Sequence, residues 1–120
     1  MASVKEIYKK QIEFQKTVVK DENCDCGLPK DDVDWFVYHV AAMVEELGEV
    51  MKADKRWKTH RNKRYEKEEK MDEIADVAIT AMNMAIFSGM TADEFESCLE
   101  KKIKENMKRM GIEIETGGNV

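Results

Sequence analysis

Between its single proline, Pro29, and Gly89, this chain holds one glycine, Gly48, so its middle has almost nowhere to turn. A sheet needs turn chemistry every few residues, whereas long helices need it only at their ends. Lys, Glu, Met and Ala are frequent throughout, and all are strong helix formers. The chain is therefore read as all-α. Its 120 residues suit one domain with a core that needs no staples.

Four helical segments are expected. The first opens at Ser3, with Glu6 in capping-box position, and places Ile7, Phe14 and Val18 at helical spacing to about Lys20. Gly27 and Pro29 break the chain before a second helix, from about Asp34 to Asp54. Its expected apolar face is Phe36, Val40, Met43, Val44, Leu47, Val50 and Met51. A basic stretch, Lys55 to Arg64, reads as a fraying end plus a solvated loop, with closure over a bound anion as the alternative. The third helix spans about Glu68 to Ser88. Thr91 and Glu94 form a capping box for the fourth, which runs to about Met110. This makes one domain, residues 1–110, and a tail, residues 111–120.

A formal net charge of −5 argues against a nucleic-acid binder, which needs a basic excess. Three cysteines, an odd number, fit a reducing cytoplasm better than a disulfide framework; Cys24 and Cys26 read as turn residues. No signal-like segment follows the start. The longest apolar run, Ile74 to Phe87, is too short to span a bilayer, so no membrane partner is expected.

That run is informative for another reason: Asp76 is its only charged residue. A helix advances about 100° per residue. Met71, Ile74, Ala75, Ala78, Met82, Ala85 and Ile86 then share one face, expected to be the core. Glu73, Asp76, Thr80, Asn83 and Phe87 fall on the other side, flanked by Val77, Ile79 and Met84. A helix apolar nearly all round is buried, so Glu73 and Asp76 are expected to line an interior or a cleft, with Asn83 on the same stripe. In the second helix His39, Ala42, Glu46 and Glu49 lie beside the apolar face, while Glu45 faces water. Antiparallel packing of these two helices sets both acidic pairs at similar height. Like carboxylates in a poorly hydrated place either take raised pKa values or hold cations. Oxygen-only donors suit Mg²⁺ or Mn²⁺. A di-iron carboxylate site is disfavoured, because neither His39 nor His60 follows a Glu by three residues.

In the fourth helix Phe95, Cys98 and Leu99 define an expected inward face, which continues into Lys102, Asn106 and Arg109. Lys and Arg bind phosphates; long side chains snorkelling at a bundle end are the other reading.

Glu46-x-x-Glu49, Glu73-x-x-Asp76, Asn83 and the Lys102-x-x-x-Asn106-x-x-Arg109 pattern together resemble the all-α NTP pyrophosphohydrolase superfamily of MazG proteins, dimeric dUTPases and dCTP pyrophosphatases. The resemblance covers about Phe36 to Met110. It implies a MazG-like four-helix bundle completed as a homodimer or homotetramer. It also implies Mg²⁺-dependent cleavage of a nucleoside triphosphate, dUTP, dCTP or a non-canonical nucleotide, to monophosphate and pyrophosphate. Glu46, Glu49, Glu73 and Asp76 would hold metal, with Glu49 also the base. Lys102 and Arg109 would meet phosphates, either within the chain or from a neighbouring subunit. Asn83, Asn106, Trp57 and His39 would meet the nucleoside; a core or interface role is the other reading of Trp57. The competing class is a non-catalytic helical module that binds nucleotide or a partner and keeps the acids for metal.

Overall fold

The computed structural model describes residues 1–21, 33–54, 56 and 66–112, which form four α-helices and no strand. These are α1 (Val4–Asp21), α2 (Val33–Ala53), α3 (Lys67–Ile86) and α4 (Ala92–Arg109). The all-α class is as expected, and the helix ends fall within two residues of the sequence reading. Trp57, Cys24, Cys26, most of the basic stretch and residues 113–120 lie outside the described residues. No described helix is long and apolar enough to cross a membrane.

The helix ends follow local chemistry. The Glu6 amide donates to Ser3 Oγ at 3.1 Å, capping α1. Thr91 and Glu94 close a reciprocal box, with the Glu94 amide on Thr91 Oγ1 at 3.1 Å and the Thr91 amide on Glu94 Oε1 at 2.9 Å. Between α3 and α4 the chain reverses at Gly89, whose φ of 81° suits a residue without a Cβ. The Met90 amide then satisfies the carbonyl of Ala85 at 3.0 Å.

α2 and α3 form the most extensive helix contact. They run antiparallel, because opposite ends of each are joined. At one end Lys70 Nζ and Arg56 Nη2 meet Asp54 Oδ2 at 2.9 and 2.7 Å. At the other, the Phe87 ring stacks on both Trp35 and His39, each with centroids 5.3 Å apart. α1 crosses the Phe87 end and packs on α3 and α4. Its Tyr8 ring stacks on Phe95 at 4.7 Å, and its hydroxyl donates to the carbonyl of Met90 at 2.7 Å. Burial pushes the Tyr8 phenol up to about 12, so it stays a donor at any physiological pH. Lys5 Nζ adds an ion pair to Asp93 at 2.6 Å. The buried apolar cluster of Tyr8, Val19, Ala85, Ile86, Phe87 and Ala92 sits at this end.

Helix positions agree with the sequence reading better than helix faces do. On α1 the buried residues are Tyr8, Gln15 and Val19, whereas Ile7 and Phe14 are exposed. On α3 the expected apolar face holds only in the last turns, where Ala85 and Ile86 are buried. Met71, Ile74, Ala75 and Ala78 face out, and the side carrying Glu73, Val77, Thr80 and Phe87 packs inward instead. On α2, Phe36, Met43 and Val50 turn partly inward, but Val40, Val44, Leu47 and Met51 are exposed. Both helices thus carry exposed apolar residues along one side. Gly48 lies on the outer side of α2, where an added Cβ would meet nothing. On α4 Phe95 is partly buried, but Cys98, Leu99, Lys102, Ile103, Asn106 and Arg109 are exposed, so the expected inward stripe faces solvent in the single chain.

Thr91→Ala should cost about 1 kcal/mol of stability, measured by chemical denaturation, because it removes the Oγ1 that accepts from the Glu94 amide and leaves only the backbone half of the box. Hydrogen bonds from Arg56 and Lys70 hold the Asp54 carboxyl well below its ordinary value. A carboxyl depressed by folding contributes stability above its ordinary pKa, and loses it as pH falls through its folded value. Asp54→Asn should therefore lower Tm at neutral pH, with the two melting temperatures converging as pH falls below 3.8.

Candidate metal centre

The α2–α3 seam brings Glu46, Glu73 and Asp76 together: one carboxylate oxygen from each lies within 4.8 Å of the others. Helix geometry explains the set. Glu73 and Asp76 are three residues apart on α3 and so share a face. The antiparallel register fixed by the Asp54–Lys70 clasp then sets Glu46 of α2 opposite them. Glu46 and Glu73 are half-buried, and Asp76 is exposed at the edge of the seam. Thr80 Oγ1 donates to the Asp76 carbonyl at 2.8 Å, so its hydroxyl is spent on the helix backbone and leaves the cluster purely acidic.

The electrostatics follow from that. Desolvation raises the Glu46 pKa, and the charges of Asp76, Glu73, Glu45 and Glu49 raise it further. No cation among the described residues pairs with Glu46, Glu73 or Asp76. Three convergent carboxylates with no neutralising side chain among the described residues present hard oxygen donors, the set that Mg²⁺ and Mn²⁺ prefer.

Glu49 stands apart from the trio. It lines the adjoining cleft of about 360 Å³ with Glu69, Asp72 and Glu73, and its Oε1 lies 3.7 Å from Lys52 Nζ. The expected foursome is thus three carboxylates plus a neighbour one turn away. Lys102 and Arg109 do not reach this group within the chain. Lys102 Nζ pairs with Glu105 at 3.3 Å, and Arg109 Nη2 donates to Asn106 Oδ1, all on exposed α4.

His39 and Asn83 are buried. Asn83 Oδ1 accepts from Gln11 Nε2 at 2.8 Å and from Gln15 Nε2 at 3.1 Å. Gln11, Gln15 and Trp35 were not singled out from the sequence. The two glutamines sit four residues apart, among the inward positions of α1, and that misplaced polarity was the available signal.

No family model matches the chain, and neither a curated protein nor a solved structure matches it.

Because Glu46 binds its proton more tightly when folded, its contribution to stability falls as pH rises from 4.5 through its folded value. Glu46→Gln should therefore raise Tm of the metal-free protein at neutral pH and flatten that slope. Millimolar Mg²⁺ should raise the wild-type Tm and leave Glu46→Gln nearly unmoved. In a calorimetric titration, Glu73→Gln should weaken Mn²⁺ binding at least about tenfold.

Proposed function

We propose that this chain is a Mg²⁺-dependent nucleoside triphosphate pyrophosphohydrolase of the MazG-like, dimeric-dUTPase-like kind. The observation that carries the reading is the convergence of Glu46, Glu73 and Asp76 from two facing helices, with Glu46 destabilised as an anion. Such a site gains most from a ligand that brings a divalent cation and its counter-charge together, as a metal-bound triphosphate does. The three residues fit Mg²⁺ by donor type, and Mn²⁺ by the same argument.

Glu46, Glu73 and Asp76 would hold the ion, and Glu49, in the adjoining cleft, would take the proton of the attacking water. Bound Mg²⁺ supplies neutralisation of the phosphates and acidification of a coordinated water. The overall step adds water across the α–β phosphoanhydride bond, giving a nucleoside monophosphate and pyrophosphate.

Homo-oligomerisation completes the reading. Val40, Val44 and Leu47 of α2 and Met71 and Ile74 of α3 are all at least 40% exposed, apolar surface that a second copy would take out of water. A second copy covering these stripes also allows a neighbour's α4 to carry Lys102 and Arg109 to the phosphates. Gly48, with open space above it, permits close approach of another helix.

The alternative is a non-catalytic helical module that binds metal, nucleotide or a partner through the same acids. It is favoured by the exposed position of Lys102, Asn106 and Arg109 within the single chain.

The deciding experiment incubates the full chain with canonical and modified NTPs, with and without Mg²⁺, and resolves the products. Mg²⁺-dependent release of pyrophosphate is expected, with Glu49→Gln about 10²–10⁴-fold slower. Metal binding without turnover of any nucleotide would favour the module. Light scattering should give a dimer or tetramer, and Leu47→Glu should shift it to monomer.

A further inference from the structure

A second polar feature lies at the other end of the α2–α3 seam, away from the carboxylates. A cleft of about 530 Å³ opens between α1 and the start of α2, walled by Phe14, Trp35, Tyr38 and His39. Gln15 and His39 line it while being only 3% and 6% exposed. Gln15 Oε1 and His39 Nε2 are both buried and have no hydrogen-bond partner among the described residues. A buried polar atom left unpaired costs stability, so two in one cleft point to a ligand that pairs them.

The orientation of Gln15 is set by its neighbours. Asn83 Oδ1 takes the amide nitrogens of both Gln11 and Gln15, one on each lone pair. The Gln15 amide nitrogen is therefore directed at α3, and its carbonyl is left to meet a donor. His39 is held in plane by stacking on Phe87 at 5.3 Å and lies 6.2 Å from the Trp35 ring. Burial lowers its pKa, which favours the neutral imidazole, and its Nε2 is left to make a hydrogen bond. An aromatic-walled cleft with one acceptor and one imidazole edge suits a flat heterocycle.

The spacing ties this cleft to the acids. His39 precedes Glu46 by seven residues on α2, and Asn83 follows Asp76 by seven on antiparallel α3. Seven residues are nearly two full turns, so each pair keeps one face, separated by about 10 Å along the axis. That is the reach of a nucleotide from base to phosphates.

We propose that the α1–α2 cleft is a base-reading subsite, in which Gln15 Oε1 accepts from a ring N–H or amino group of a nucleobase and His39 Nε2 bonds the adjacent group on the same edge. This rests on the reading of Glu46, Glu73 and Asp76 as the phosphate end. It makes Gln15 a specificity-determining residue, with Asn83 and Gln11 positioning its carbonyl rather than touching the base.

The test titrates the full ¹⁵N-labelled chain, without metal, with nucleoside 5′-monophosphates of uracil, cytosine, adenine and hypoxanthine, and with inorganic pyrophosphate. The tightest binder is then compared with its analogue methylated at the N–H. Saturable shifts of the Gln15 side-chain amide and the His39 ring are expected with the nucleotides and not with pyrophosphate. Methylation should weaken binding at least tenfold. Gln15→Met should do the same with Tm nearly unchanged, since Gln11 still satisfies Asn83. If that variant does not fold, the methylated analogue reads the same hydrogen bond on the wild-type protein. Equal binding of parent and methylated base, wild-type affinity in a folded Gln15→Met, or no nucleotide-dependent shift at Gln15 overturns the proposal. Base-selective binding without hydrolysis would keep this subsite and remove the hydrolase reading. Hydrolysis indifferent to the base would do the reverse.

Discussion

The antiparallel contact between α2 and α3 governs everything else in this molecule. It is clasped at one end by Asp54 between Arg56 and Lys70, and at the other by the Phe87 ring against Trp35 and His39. Those two fastenings set the register, and the register sets Glu46 against Glu73 and Asp76. The clasp end satisfies its charge locally, whereas the middle of the seam holds an anionic cluster that no described side chain neutralises. Folding alone therefore leaves the middle of the seam electrostatically unfavourable, and a cation bound there would relieve it and tie stability to ligand binding.

α1 plays a different part. It adds the aromatic and amide layer at the Phe87 end, through Tyr8 on Phe95 and Met90 and through Gln11 and Gln15 on Asn83. The buried core lies there and not under the carboxylates. Away from it, α2 and α3 keep exposed valine, leucine, isoleucine and methionine along their outer sides. The best-packed region of the four helices thus lies at one end, and the other end keeps apolar side chains exposed in the single chain.

Several features were legible before any coordinates. Thr91 and Glu94 announce a helix start because the capping box is local chemistry, readable from four residues. The acidic pairs announce themselves because three-residue spacing in an apolar helix forces a shared face. The faces themselves were less legible. Ile74 and Ala78 are as apolar as any core residue, yet they point outward, while Gln15 and Asn83 are polar and buried. Periodicity marks which residues share a side and does not say what stands against that side. Pairing polar residues from different helices, as Asn83 does with Gln11 and Gln15, depends on a helix crossing that no single segment encodes.

By itself the sequence determined the all-α class, the positions of the helices and the grouping of acids on their faces, because propensity, capping and the 3.6-residue turn act within one segment. Only the tertiary structure decided that Glu46, Glu73 and Asp76 form the close set while Glu49 stands one turn off. It likewise decided that α4 carries its cations into solvent, and that Gln15 and His39 share a cleft. Those outcomes depend on the rotation and register of one helix against another, which the packing of several segments at once selects.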